Sequence, residues 1–277
     1  MSATPEIAKP SIKRFATRVI KLGLSSLYFV GSRIWCRLSG NRTATCVILY
    51  YHSVPKEYQG RFAKQMALLA TRNLAIPITR LNDLPAARSV VITFDDALAN
   101  VAENALPVLI DLNIPASIFV VSEALGRTPG WGEGYYSPNE RTMSQEELLN
   151  LPDLITVGSH TLTHPNLTTL SRESSDDELR ISRAKLEAML RQPVLLFSFP
   201  HGALNDTLVD QCREVGYRQV FSTEPRLFLA SQEQYVVGRV ATDPWDWPAE
   251  FYLKIAGAYC WQPYAKSVVR EIRRLFN

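Results

Sequence analysis

Apolar and polar positions follow two rhythms along this chain. Short, unbroken apolar runs recur at Cys46 to Tyr51, Ser89 to Phe94, Ala116 to Val121, Leu154 to Gly158, Val194 to Phe199, Tyr217 to Ser222 and Tyr235 to Val240. Runs of this length, without strict alternation, predict strands buried on both faces, as in a parallel sheet. Between them, apolar residues spaced three and four apart predict helices over Gly60 to Asn73, Ala99 to Asn113, Ser144 to Leu151, Ser171 to Arg191, Asn205 to Val215 and Pro248 to Tyr259. Ser144 followed by Glu147 forms a capping box, and Gly216 stands just past a last helical turn. Six or seven strand-helix units predict an α/β fold closed, or nearly closed, into a barrel, whose active site lies at the C-terminal ends of the strands. The glycine-rich insertion from Gly126 to Arg141 breaks the rhythm and reads as a binding loop.

The first 42 residues have a different pattern. Ile12, Phe15, Val19, Leu22, Tyr28, Val30 and Ile34 fall at helical spacing among Lys13, Arg14, Arg18, Lys21, Arg33 and Arg37, which predicts a basic amphipathic helix. Charge sharpens this picture. The net charge is +3, yet Ile7 to Lys56 holds nine Lys or Arg and no acid, so the remainder is acidic on balance. The expected organisation is a basic segment over 1–42 and one (β/α) barrel domain over 43–277. The apolar run Leu22 to Val30 is too short to span a bilayer and meets Arg33, which argues against a membrane span and a cleaved signal. Residues 7–42, with the similar tail 265–277, are expected to touch an anionic membrane surface peripherally, on the cytoplasmic face, with a periplasmic, uncleaved anchor as the alternative. Large apolar residues between the charges argue against nucleic acid. The four cysteines show no metal-type spacing.

All four histidines follow predicted strands: His52 after CVILYY, His160 and His164 after LITVG, and His201 after LLFSFP. Asp95 and Asp96 end another strand. Chemistry-bearing residues gathered on one rim point to a site rather than to scattered structural roles. His160 and His164, four apart, would share one side of a helical turn, and with one carboxylate they form a donor set for zinc or another divalent ion. One aspartate would bind the ion while its neighbour acts as general base, and His52 can supply the acid for a departing amine.

TFDD, Thr93 to Asp96, together with SHTLTHP, Ser159 to Pro165, resembles the first two motifs of the polysaccharide deacetylases, the NodB-like carbohydrate esterases. The resemblance runs from about Val47 to Trp247 and implies a distorted (β/α) barrel that removes N-acetyl groups from amino sugars with one divalent ion. That ion would be zinc first, with cobalt, nickel or manganese as alternatives. It assigns Asp95 as general base and Asp96, His160 and His164 as metal ligands. In SFPHG, Pro200 and Gly202 match a third motif and the His201 N–H takes the oxyanion-donor place, but Ser198 stands where the family has arginine. Arg239 is the expected substitute, and Asp243 and Asp246 of DPWDW would hold either that arginine or the acid histidine. ILYYHSV resembles the circularly permuted branch of exopolysaccharide deacetylases, in which the strand bearing the acid histidine comes first. Ala97 replaces a usual glycine, which puts the tightness of that turn in question. Trp131, Tyr135 and Tyr136 of the insertion, and Trp245, are expected to stack on sugar rings, whereas Trp247 reads as a core plug. The expected partner is an N-acetylated polysaccharide or lipid-linked glycan. The competing readings are a deformylase of a lipid-linked amino sugar and an inactive glycan-binding module.

Overall fold

The computed structural model describes residues 12–40, 43–85, 88–131, 140–265 and 267 of the 277. Six parallel strands follow one another around the sheet: β1 (Thr45–Tyr51), β2 (Ser89–Phe94), β3 (Ala116–Val120), β4 (Ile155–Ser159), β5 (Leu196–Ser198) and β6 (Gln219–Phe221). Three two-residue strands complete it. β7 (Phe228–Leu229) runs antiparallel against the start of β1, β8 (Val236–Val237) pairs with β6, and β9 (Val240–Ala241) pairs with the end of β1.

The predicted strand Tyr235 to Val240 is thus two short strands that bridge from β6 to β1 and bring the ring nearly to closure. Gly238 sits at that crossing. A Cβ there would lie 2.3 Å from the Glu224 carbonyl oxygen, so a side chain would push the bridging segment away. Sequence reading missed β7 because two residues carry no periodicity.

Alternation along the strands sorts the core into two layers. Cys46, Ile48, Val91, Phe119, Phe221 and Val237 meet inside the ring, while Val47, Leu49, Tyr51, Val90, Ile92 and Phe94 face the helices outside. Because successive side chains point to opposite faces, Tyr50, Thr93 and Asp95 continue the inward row at the C-terminal end. One mouth of the ring is apolar and the other polar.

The surrounding helices are α1 (Ile12–Ser39), α2 (Gln59–Thr71), α3 (Leu106–Asp111), α4 (Gln145–Leu149), α5 (Arg172–Leu190), α6 (Asp206–Val215) and α7 (Pro248–Ile255). A π-helical turn over Val101–Ala105 precedes α3, where the sequence predicts one continuous helix. Pro107, close behind it, lacks the N–H that regular α geometry would use. The Ser144–Glu147 capping box forms, and Gly216 ends α6 in the left-handed conformation.

The helix α1 lies against α7 through a narrow seam of Arg18, Leu22, Ser25, Phe29 and Ser32. Ser25 is fully buried and accepts a hydrogen bond from Trp261 Nε1 at 2.9 Å, and Phe29 meets Tyr252 edge to face. This seam is not the predicted stripe, of which Leu22 alone among the described side chains is partly buried. Ile20, Leu24, Leu27, Ile34, Trp35 and Leu38 point away from the domain, Leu27 and Leu38 being 72% and 79% exposed. Among the described residues no helix is long and apolar enough to cross a membrane. Trp247 is half-buried under α1 rather than in the core: Phe15 packs on its edge and the Arg18 guanidinium lies 4.4 Å from its ring centroid.

Candidate metal and hydrolytic site

The loop after β2 starts the site. Asp95 and Asp96 are both 2% exposed, and Asp96 and Ala97 adopt left-handed backbone angles, φ 68° and 51°. The turn therefore forms with a Cβ where the family has glycine, at a cost of roughly 1–2 kcal/mol per residue. Hydrogen bonds offset the strain, from the Met143 N–H to the Ala97 carbonyl at 2.7 Å and from the Ala99 N–H to the Arg141 carbonyl at 2.8 Å. The reversal turns adjacent carboxylates to different partners.

Asp95 points into the ring and meets Arg239, which is fully buried at the β8–β9 crossing. Nη1 and Nη2 each donate to a different Asp95 oxygen at 2.7 Å, a bidentate pair. The guanidinium also donates to Ser198 Oγ at 2.7 Å, Thr93 Oγ1 at 3.1 Å and the Ser222 carbonyl at 3.2 Å, and lies 4.8 Å from the Tyr50 ring centroid. Serine at position 198 leaves room for this side chain. Burial alone would raise the Asp95 carboxyl, but the Arg239 charge and its hydrogen bonds, with His160 and His52 nearby, hold it below the usual carboxylate range. Asp95 is thus an oriented carboxylate whose ionised form is favoured.

Asp96, His160 and His164 converge on the other side, with potential ligand atoms all within 4.8 Å of one another. Asp96 Oδ1 lies 3.6 Å from His160 Nε2 and 3.3 Å from His164 Nε2. His160 Nδ1 is 2.7 Å from the Ser198 carbonyl, which can only accept, so Nδ1 carries the proton and Nε2 presents its lone pair to the cluster. Burial drives the His160 imidazole down to about 4, against the pull of Asp95 and Asp96, so it is neutral at pH 7, the form that ligates metal. One ionised carboxylate and two buried imidazoles fit a divalent first-row ion.

The two histidines are not on a helical turn, contrary to the expectation from their spacing. The segment is a tight loop in which Thr161 and His164 take φ of 71° and 67°. Glu178 of α5 holds it, accepting from the Leu162 N–H at 2.8 Å, the Thr163 N–H at 2.9 Å and Thr163 Oγ1 at 2.6 Å. Sequence reading missed Glu178, because nothing local marks one acid among several on a charged helix as a loop clamp.

The remaining predicted residues divide. His52 follows β1 beside Tyr50, with ring centroids 5.5 Å apart, close enough for its charge to act on Asp95, Asp96 and Asp243. Pro200 is buried, and His201, at φ 58°, meets the His164 ring edge to face. Trp131 stacks on His164 at 4.5 Å and donates from Nε1 to Asp96 Oδ1 at 3.1 Å, which joins it to the cluster. Tyr135 and Tyr136 lie outside the described residues. Trp245 packs on Tyr58. Neither Asp243 nor Asp246 holds Arg239. Asp246 accepts from Lys254 Nζ at 2.6 Å and from the Asp243 N–H at 3.1 Å, because α7 brings Lys254 within reach.

The class this defines is a nearly closed (β/α) barrel with an arginine-clamped carboxylate beside an Asp/His/His cluster at the C-terminal mouth. The chain carries a polysaccharide deacetylase domain: residues 83–220 match that family's model. YxkH of Bacillus subtilis (strain 168), itself named after the family, is 24% identical over 225 residues, covering 73% of each chain. The poly-beta-1,6-N-acetyl-D-glucosamine N-deacetylase of Staphylococcus aureus (strain MRSA252) is 25% identical over 163 residues, 55% of this chain and 54% of that one. The structure of IcaB from Ammonifex degensii superposes with a TM-score of 0.66 over 78% of this chain and 97% of that one at 23% identity, a likeness of fold.

Proposed function

We propose that this protein is a divalent-metal-dependent N-deacetylase of a polymeric N-acetylated amino sugar, acting in exopolysaccharide assembly at a membrane surface. One observation carries the reading: a buried carboxylate kept ionised by Arg239 stands directly beside a second carboxylate and two imidazoles that converge. A structural ion pair needs no such neighbour. The name of the Staphylococcus aureus relative supports β-1,6-linked N-acetylglucosamine as the polymer.

Asp96, His160 and His164 would hold the ion, and their donor set suits zinc, with cobalt, nickel or manganese also accommodated. Bound there, a divalent ion supplies Lewis-acid polarisation of the acetamide carbonyl and lowers the pKa of water from about 15.7 toward about 7. The chain's own groups do the rest. Asp95, fixed in orientation by Arg239, accepts the proton of the attacking water. His52, which follows β1 beside Tyr50, would protonate the leaving amine, and the His201 N–H would serve as donor to the developing oxyanion. Products are acetate and a free amino sugar.

Docking on an anionic bilayer is supported by the outward stripe of α1, where Ile20, Leu27, Ile34 and Leu38 are exposed in a segment without acidic residues. The double variant Leu27→Glu/Leu38→Glu, which leaves the packed seam intact, is expected to stop sedimenting with phosphatidylglycerol vesicles while hydrolysing a soluble oligosaccharide normally. Continued sedimentation moves the anchor elsewhere.

The enzymatic reading is tested by mass spectrometry of β-1,6-linked N-acetylglucosamine oligomers incubated with zinc-loaded protein. The expected product has acetyl exchanged for hydrogen, and an unchanged mass defeats the reading. His160→Ala should lose both the stoichiometric metal and the activity.

A further inference from the structure

A cavity of about 590 Å³ opens between α1 and the polar mouth of the ring, and none of the roles assigned above uses it. Its size is that of a small-ligand site. Thr17, Arg18 and Lys21 of α1 form one wall, and Tyr50, Asp243 and Thr223 form the facing one.

Two of these residues connect the cavity to the catalytic rim. The Tyr50 ring packs on His52 and under Arg239. Thr223 presses so closely on Gly202 that a Cβ there would lie 1.9 Å from Thr223 Oγ1, which puts the cavity wall against the turn that carries His201. The cavity therefore shares walls with the catalytic rim and runs outward beneath the N-terminal helix.

The lining mixes charged and hydroxyl groups with apolar Pro225, Val240 and Ala241 and is close to neutral. Arg18 is engaged by Glu250 at 2.7 Å and Lys254 by Asp246 at 2.6 Å, so these four charges form a satisfied floor. One group is not satisfied in this way. Lys21 has no ion-pair partner among the described residues, whereas the Tyr259 hydroxyl stands beside Glu250 on the same lining. Mixed donors and acceptors of both signs, with one aromatic wall, match the hydroxyls and ring faces of neutral sugars better than an acyl chain or a polyanion.

We infer that this cavity is a glycan subsite that binds the sugars next to the one being deacetylated, with α1 as its outer wall. This rests on the deacetylase reading and adds to it. The helix that faces the membrane would also grip the polymer, so chain-length preference is built from residues outside the barrel.

The test compares wild type with Thr17→Trp, which narrows the cavity from a helix surface, and Lys21→Ala, which removes the lining cation that has no ion-pair partner among the described residues. Each is assayed on a β-1,6-linked N-acetylglucosamine dimer and pentamer, and pentamer affinity is measured separately by titration calorimetry. Thr17→Trp should raise KM for the pentamer at least about fivefold with kcat unchanged, the mark of lost uniform binding, and leave the dimer unaffected. Lys21→Ala should weaken pentamer binding by about two- to threefold and leave the dimer unaffected. If wild type hydrolyses the pentamer and both variants bind and hydrolyse it equally well, the subsite is refuted while the deacetylase reading stands. If wild type neither binds nor hydrolyses either oligomer, both fail together.

Discussion

Two clusters of buried charge lie near the end of β1, and they are built on opposite plans. Beside α7, Asp246 and Glu250 face Lys254 and Arg18, two acids against two bases, with Arg18 and Asp246 also bonded to main-chain groups. At the mouth of the ring, the one arginine is committed to Asp95, and Asp96 faces imidazoles and an indole N–H. The first cluster is closed by ion pairs, whereas the second turns a carboxylate toward imidazoles and an indole, the donor set the proposed ion would use. Within DPWDW the two carboxylates differ: Asp246 fastens α7 and α1, while Asp243 lies where the His52 imidazole acts on it.

The comparison can be broken most forcefully at Arg239. Arg239→Met leaves Asp95 buried without its partner, and about 3–5 kcal/mol of stability should be lost, read as a lower denaturation midpoint. A loss under about 1 kcal/mol would show that the pair is not the ring's main polar support. Asp95→Asn is next: hydrolysis should fall at least about 100-fold while bound metal, measured by atomic spectroscopy, is retained.

The α7 cluster should respond weakly and differently. Burial raises the Asp246 carboxyl to about 6 despite Lys254. Because the folded state then binds the proton more tightly than the unfolded one, this contribution is present below about pH 4 and lost as pH rises toward 6. Asp246→Asn should flatten that slope in pH-dependent unfolding and change turnover by less than about threefold, since it lies away from the reacting groups. A large loss of turnover would make the two clusters one.

Much of this was visible in the chain's pattern, for identifiable reasons. The limits of β2 coincide with the apolar run that predicts it, because six consecutive buried residues leave no ambiguity. The rim histidines and aspartates were legible because strand polarity alone places them. The hidden features were contacts between distant residues: Glu178 clamping the histidine loop, Arg18 reaching α7 across 232 positions, and the split of the last predicted strand into β8 and β9. The histidine spacing misled because four residues suit a helical turn, yet Thr161 and His164 reverse the backbone.

The bridge between β8 and β9 has a consequence for how the molecule becomes competent. Asp95 and Arg239 are 144 positions apart, and the guanidinium arrives only when the last short strands span the gap between β6 and β1. Closing the wall and aiming the proton acceptor are therefore one geometric event. An insertion or deletion of a single residue between Thr223 and Arg239 would shift the seam's register and disarm the carboxylate without touching any group around Asp96.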